Sequence, residues 1–366
     1  MPGRTILWWG RSDPEYSRNR IIWQLLGDLG WHILDFRPYL SAVGDIEASL
    51  RRLPTPDLVW VPCFRQRDAA AAARWAERRG VAMVFDPLIS AWDKQVFERE
   101  KFGENDRRAA RLRDEERTLF AAADLVLADT EPHREFFVHT FGLDPGRVAV
   151  VPVGAEESLF RRLAPQTPRN NAVQILFYGS FIALQAPQVI IEAARLYEGP
   201  PVRWHLLGEG PLLETCRERA RQAPNVIFEP WLAYDMLPAR IGDAQIVLGV
   251  FGASEKAGRV IPNKVFQALA CGRPVITRTG PAYPQALDQS DGIALVPPNR
   301  PDALAQVAAN WASDPERLAA RAEAAAAIYR KYFASETIRA SLRDALSRLD
   351  EIGQAGTRST PIPKPH

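Results

Sequence analysis

Residues 260–277 read VIPNKVFQALACGRPVIT. Proline suits the first turn of a helix, so Pro262 places Asn263 and Lys264 at the positive end of a helix dipole. Unpaired N–H groups at such an end hold an anion. Asn263 and Gln267 stand four apart and Lys264 and Gln267 three apart, so these polar groups share one helix face. Val265, Phe266 and Leu269 cover the opposite, core-facing side. Gly272 ends the helix, and Pro274 opens a strand. Just upstream, GASEKAGR carries Lys256 and Arg259 on a loop whose small residues let a ligand approach the backbone. The chemistry that suits this pattern is the holding of a phosphate-like anion. A capped surface helix with ordinary basic residues also accounts for it.

Four other stretches carry candidate groups. In ILFYGSFIALQ (175–185) a predicted strand runs into Gly179 and Ser180 with a helix expected to follow, so their N–H groups can face a phosphate. Strand–glycine–helix turns without that role are common. In LLGEGPLLE (206–214) the turn at Gly208 lacks the third glycine of a dinucleotide fingerprint, which argues against a nicotinamide enzyme. GRSDPEYSRNRI (10–21) precedes the first helix, with Ser17 as a plausible cap. Gly10, Arg11, Arg18 and Asn19 there face either a polar ligand or plain solvent. In MVFDPLIS (83–90), Asp86 follows an apolar strand and Pro87 fixes the turn. Its carboxylate suits accepting a proton from a hydroxyl, or capping the next turn. The charged run Asp93–Arg117, with Arg107, Arg108, Arg111 and Arg113, reads as a solvated helix face. Trp8, Trp9, Trp23 and Trp31 read as core or cleft walls.

Short apolar strands alternating with amphipathic helices must position these groups. Strands are expected at Thr5–Trp8, Ile33–Phe36, Leu58–Val61, Val81–Phe85, Leu125–Ala128 and Val148–Val151, with a helix over Ser17–Leu29. The polar, proline-bearing stretch 161–171 reads as a linker. The alternation then restarts with strands at Val173–Tyr178, Val202–Leu207, Val226–Phe228, Ile246–Val250, Pro274–Thr277 and Ile293–Val296. Helices rich in Ala and Arg fill Pro301–Leu349, and 353–366 reads as a disordered, proline-rich tail. The pattern predicts an α/β protein of two doubly wound domains, with ligands beyond the carboxyl ends of the strands.

Composition narrows the classes. The chain of 366 residues, 46% hydrophobic and 25% charged, suits two soluble domains. A formal charge of +2 does not point to nucleic acid. Cys63, Cys216 and Cys271, odd in number and far apart, fit a reducing cytoplasm. No pairing of His or Cys suggests zinc, no Asp-x-Asp pair suggests a metal-bound diphosphate, and no apolar run spans a bilayer. The N-terminus lacks the apolar region of a signal peptide.

In order, YGSFIALQ, LLGEGP, VLGVFGASEKAGRVIPNKVFQALACGRPVIT and IALVPPN resemble the donor half of retaining GT-B glycosyltransferases of family 4, the group 1 type. LADTEPHREFFVHTFGLDPGRVAVVPVGAEESLF resembles the segment leading into that family's linker. The resemblance implies a GT-B fold, two Rossmann-like domains facing across a cleft. It implies an acceptor-binding domain over 1–160, a linker over 161–171 and a nucleotide-sugar donor domain over 172–332. A helix over 333–352 would cross back to the first domain. It implies metal-independent transfer of a sugar from a nucleotide-diphosphate sugar to a hydroxyl of a glycan, glycolipid or small molecule, with retention. A role in surface polysaccharide or glycolipid synthesis follows, in the cytoplasm or peripherally at the inner face of the membrane. The loop 254–262 would contact the diphosphate, with Lys256, Arg259 and Lys264 stabilising its departure. Gly179, Ser180, Gly208, Pro262, Asn263 and Gln267 would bind the donor. Gly10, Arg11, Arg18 and Asn19 would bind the acceptor, and Asp86 would orient it.

The chain also departs from the family. Many members carry acidic residues where Arg259 and Gln267 stand, an arginine and a lysine in the region of Ser180 and Gln185, and a glutamate near Gln285. The glutamines also fit a catalytically inactive relative that binds a nucleotide sugar or serves as a partner subunit.

Overall fold

The computed structural model describes residues 3–98, 101–164 and 172–354. Most of the linker expected over 161–171, and the tail beyond 354, lie outside these. Runs of β-branched and aromatic residues form two parallel six-stranded sheets. The first comprises β1 (Thr5–Trp9), β2 (His32–Phe36), β3 (Leu58–Val61), β4 (Ala82–Phe85), β5 (Leu125–Ala128) and β6 (Val148–Val150), in the order β2-β1-β3-β4-β5-β6. The second comprises β7 (Val173–Tyr178), β8 (Val202–Leu207), β9 (Val226–Glu229), β10 (Ile246–Leu248), β11 (Val275–Arg278) and β12 (Ile293–Val296), in the order β12-β11-β10-β7-β8-β9.

Central strands are buried on both faces, so β3 (LVWV) and β5 (LVLA) read as continuous apolar runs rather than alternating ones, and β7 (VQILFY) is interrupted only by Gln174, which is buried. Strand ends differ from the sequence pattern where a backbone group is already spent. Val81 donates its N–H to the Ala76 carbonyl in the cap closed by Gly80, so β4 begins at Ala82. The last helix, Ser335–Gln354, runs past the expected tail boundary at 353. Its Ile338, Leu342, Ala345 and Leu349 pack in one core with Ile6, Trp8, Ile22 and Trp60 of the first half. Trp8 and Trp9 are core residues, whereas Trp23 is 38% exposed.

Candidate functional site

Ligands of doubly wound sheets bind where the strand order reverses. The reversal lies between β7 and β10 in the second sheet and between β1 and β3 in the first. Beyond β7, Gly179 takes a φ of 144°, a region costly for residues with a side chain. A Cβ on Gly179 would lie 2.9 Å from the Lys264 Nζ and 2.6 Å from the Gln185 Oε1. The glycine leaves room for a lysine at the end of the strand. A Cβ on Gly208 would fall 2.0 Å from the Gly179 carbonyl oxygen. Gly208 therefore seats the Gly179 turn by close backbone packing.

Ser180 is exposed, and no helix starts there. The chain turns through Ile182–Ala186, and the helix begins only at Pro187. Phe181 is fixed first, its N–H on the Glu209 carbonyl at 2.8 Å and its ring in the core. The expected helix terminus behind Gly179 and Ser180 is thus absent.

Lys264 lies in the first turn of the Asn263–Ala270 helix and is buried. Pro262 precedes that helix as its N-cap, with φ −70° and ψ 146°, instead of entering the first turn. The Lys264 Nζ donates to the Gln185 Oε1 at 2.6 Å and lies 3.9 Å from the Phe177 ring centroid. An aromatic face and an amide oxygen compensate a cation only in part. Among the described residues no carboxylate pairs with it. Burial holds its pKa well below the ordinary lysine value. Lys264 thus brings a cation into the region where Ser180 and Gln185 stand in place of the family's arginine and lysine. Beside it, the Gln267 Oε1 accepts from the Tyr178 hydroxyl at 2.9 Å.

The other two expected cations point elsewhere. The Lys256 Nζ lies 2.5 Å from a Glu98 oxygen and 3.5 Å from Asp93, and an Arg259 Nη lies 2.7 Å from Asp93. Both are neutralised across the cleft by the first half, which corrects their assignment as free diphosphate ligands. Asp93 is 1% exposed, so the run Asp93–Arg117 is solvated only in part. Arg107, Arg108 and Arg111 do face solvent, while Glu116 is buried.

At the first switch point the assignments also change. The Arg18 Nε donates to both Asp86 oxygens at 2.9 and 2.8 Å, and its Nη1 donates to the carbonyls of Val151 and Pro152. Burial pulls the Arg18 pKa down, but the Asp86 charge and hydrogen bonds outweigh it and hold the guanidinium charged. Asp86 is therefore committed to Arg18 and is no free carboxylate. Asn19 is buried too, donating to the Asp13 carbonyl and accepting from the Cys63 thiol. Gly10 is buried with its N–H on the Phe36 carbonyl, and Arg11 is exposed. The four residues expected to face an acceptor do not converge on one surface. The Asn263 amide reaches the Ser17 hydroxyl at 3.4 Å and joins the two switch points.

A family model described as glycosyl transferases group 1 matches residues 172–314, and one described as a glycosyl transferase 4-like domain matches 16–154. The chain belongs to the group 1 glycosyltransferases. Its sequence is 29% identical over 275 residues to a D-inositol 3-phosphate glycosyltransferase of Thermomonospora curvata, covering 67% of this chain and 62% of that protein. A Rhodococcus opacus protein of the same name is 30% identical over 267 residues, covering 67% and 57%. The chain thus spans less than two thirds of the length of these relatives. Sucrose-phosphate synthase from Thermosynechococcus elongatus superposes with a TM-score of 0.74 at 15% identity, covering 96% of this chain and 100% of that one. The fold is GT-B.

Two charged side chains near the loop 254–262 were not singled out by local pattern, Arg278 and Asp93. Arg278, at the end of β11, donates to the carbonyls of Gly252 and Ser254 at 2.9 Å and shapes the loop below Lys256. Its place directly after the apolar run VIT was the one available sign. Asp93 lay three residues after Ser90, whose hydroxyl accepts its N–H, a helix-start spacing that marks an ordered element.

Proposed function

We propose that this chain transfers a sugar from a nucleotide-diphosphate sugar to an acceptor hydroxyl with retention of configuration. The observation that carries this is Lys264, a buried amine with no carboxylate partner among the described residues, at the switch point of the donor-half sheet. A diphosphate there supplies the missing countercharge, and the ammonium stabilises charge that grows as the sugar–phosphate bond breaks. The acceptor oxygen attacks the anomeric carbon from the face the diphosphate leaves. The hydroxyl proton passes to the departing phosphate oxygen, so Asp86 can stay paired with Arg18. This reading gives the electrostatic work to Lys264 rather than to a metal ion.

Calorimetric titration with UDP in buffers of different ionisation heat tests it. The free Lys264 pKa is depressed, and a bound diphosphate raises it. Above the free value, binding therefore takes up a proton, and affinity falls as pH rises. UDP that fails to bind would overturn the assignment, and so would binding whose affinity and proton uptake do not change with pH anywhere below the ordinary lysine value. A catalytically inactive relative would bind the nucleotide and turn over no donor sugar.

The finer reading places the enzyme in the cytoplasm, at the inner face of a membrane, with a glycolipid or surface-glycan acceptor. No helix among the described residues is long and apolar enough to cross a membrane. One stretch of the acceptor half is nevertheless apolar outward. Tyr39, Leu40, Val43, Ile46 and Leu50 are 75, 65, 41, 55 and 79% exposed. Tyr39 and Leu40 lead into the turn Ser41–Val43, Val43, Ile46 and Leu50 lie on it and on the short helix Gly44–Leu50, and Arg51 and Arg52 follow directly. Asp45 of this helix is buried and neutralised by Arg74 and Arg78, and Glu47 pairs with Arg51. An apolar face flanked by arginines suits an anionic lipid surface. The protein should float with vesicles containing phosphatidylglycerol, and Leu40→Ser with Leu50→Ser should lose most of that binding. Equal recovery of parent and variant would refute the surface.

A further inference from the structure

Four charged side chains from the two halves meet across the cleft. Asp93 and Glu98 come from the Ala91–Asp93 turn and its continuation through Lys94–Glu98. Lys256 and Arg259 come from the Glu255–Arg259 helix of the donor half. Their side chains are 1, 15, 7 and 13% exposed, and the two carboxylates pair with the two cations across the halves, while Arg259 also reaches the exposed Glu255 of its own helix at 3.3 Å. The first-half element is built to present them. Buried Glu116 accepts from the Ser90 hydroxyl and from the N–H groups of Ala91 and Trp92. Trp92 stacks on Phe136, and Phe136 carries the Arg259 guanidinium 4.2 Å from its ring centroid. The Thr130 hydroxyl donates to the Arg259 carbonyl, adding a neutral bond beside the charges.

We infer that Asp93 and Glu98 are positioning residues that fasten the Glu255–Arg259 helix to the acceptor half and so hold the cleft closed. The inference rests on the donor-site reading only in that this helix leads, through Val260–Pro262, into the one that carries Lys264. Opening the cleft returns all four groups to water, so the fastening is reversible. Within one core, by contrast, breaking a buried pair strands a charge. It also accounts for Arg259 where many of the family carry an acid. An acid at that position would face Asp93.

Spin labels on Glu77→Cys and Glu218→Cys, exposed positions in the two halves, report the separation. Cys63, Cys216 and Cys271 are buried and resist labelling. The parent should give one narrow, short distance distribution. Glu98→Lys places a third cation beside Lys256 and Arg259 and should shift the distribution to longer distances, whereas Lys256→Arg should leave it unchanged. The neutral variants Glu98→Gln and Lys256→Met should each lengthen it, and the double variant should open no further than either alone. Unchanged distances in Glu98→Lys, or strictly additive opening in the double variant, would overturn the inference. UDP binding measured on the same labelled parent tests the donor-site reading separately, because its failure leaves the distance pattern intact.

Discussion

Lys264→Ala loses turnover by about 10²-fold or more, the cost of deleting a preorganised charge stabiliser, and Lys264→Met unfolds at a higher temperature than the parent. The two effects have one origin. The ammonium is buried against Phe177 and the Gln185 amide, with no carboxylate among the described residues to offset its desolvation. Replacing an incompletely compensated buried charge with an apolar group should return about 1–4 kcal/mol. Each kcal/mol corresponds to about 2–4 °C in a domain of this size. Methionine is the stability probe because alanine would also leave a cavity.

The pH dependence has a definite sign. The folded-state pKa of Lys264 lies below its unfolded value, so the folded state binds fewer protons between the two. Parent stability therefore rises as pH climbs from the folded pKa towards the unfolded one, and Lys264→Met loses that rise. Steady-state kinetics and thermal unfolding at two pH values check both parts. Parent-like turnover together with a lower unfolding temperature would remove Lys264 from the reaction.

The second large effect falls on stability. Arg18 and Asp86 form a buried pair, with side chains 1 and 2% exposed. Arg18→Met leaves a carboxylate buried without its partner and should cost about 3–5 kcal/mol. Asp86→Leu strands the guanidinium and should cost a similar amount. The double variant should recover most of the loss, since replacing both charges of a buried pair is often neutral. Denaturant unfolding of the three variants gives the coupling energy directly. Additive losses would show that the two side chains act independently.

Local pattern in the chain determined a good deal. The apolar runs define the strands because burial on both faces favours apolar residues at every position, and the one polar residue inside β7, Gln174, is tolerated because its amide is hydrogen-bonded to the Ala172 carbonyl and to His205. The alternation with amphipathic helices, broken once and restarted, defines two halves. The Pro-Asn-Lys start placed Lys264 at a helix N-terminus, since capping and proline geometry are properties of a few consecutive residues.

Tertiary structure alone decided which charges are available. Lys256 meets Glu98 across 158 residues, Arg259 meets Asp93 across 166, and Arg18 meets Asp86 across 68. Basic residues on neighbouring turns look equivalent in the chain. Whether each is neutralised depends on the element docked opposite, and neither helical nor strand periodicity encodes that element. Lys264 differs from Lys256 for this reason: it points to the end of β7, where the docked neighbours are an aromatic ring, two glycine turns and an amide.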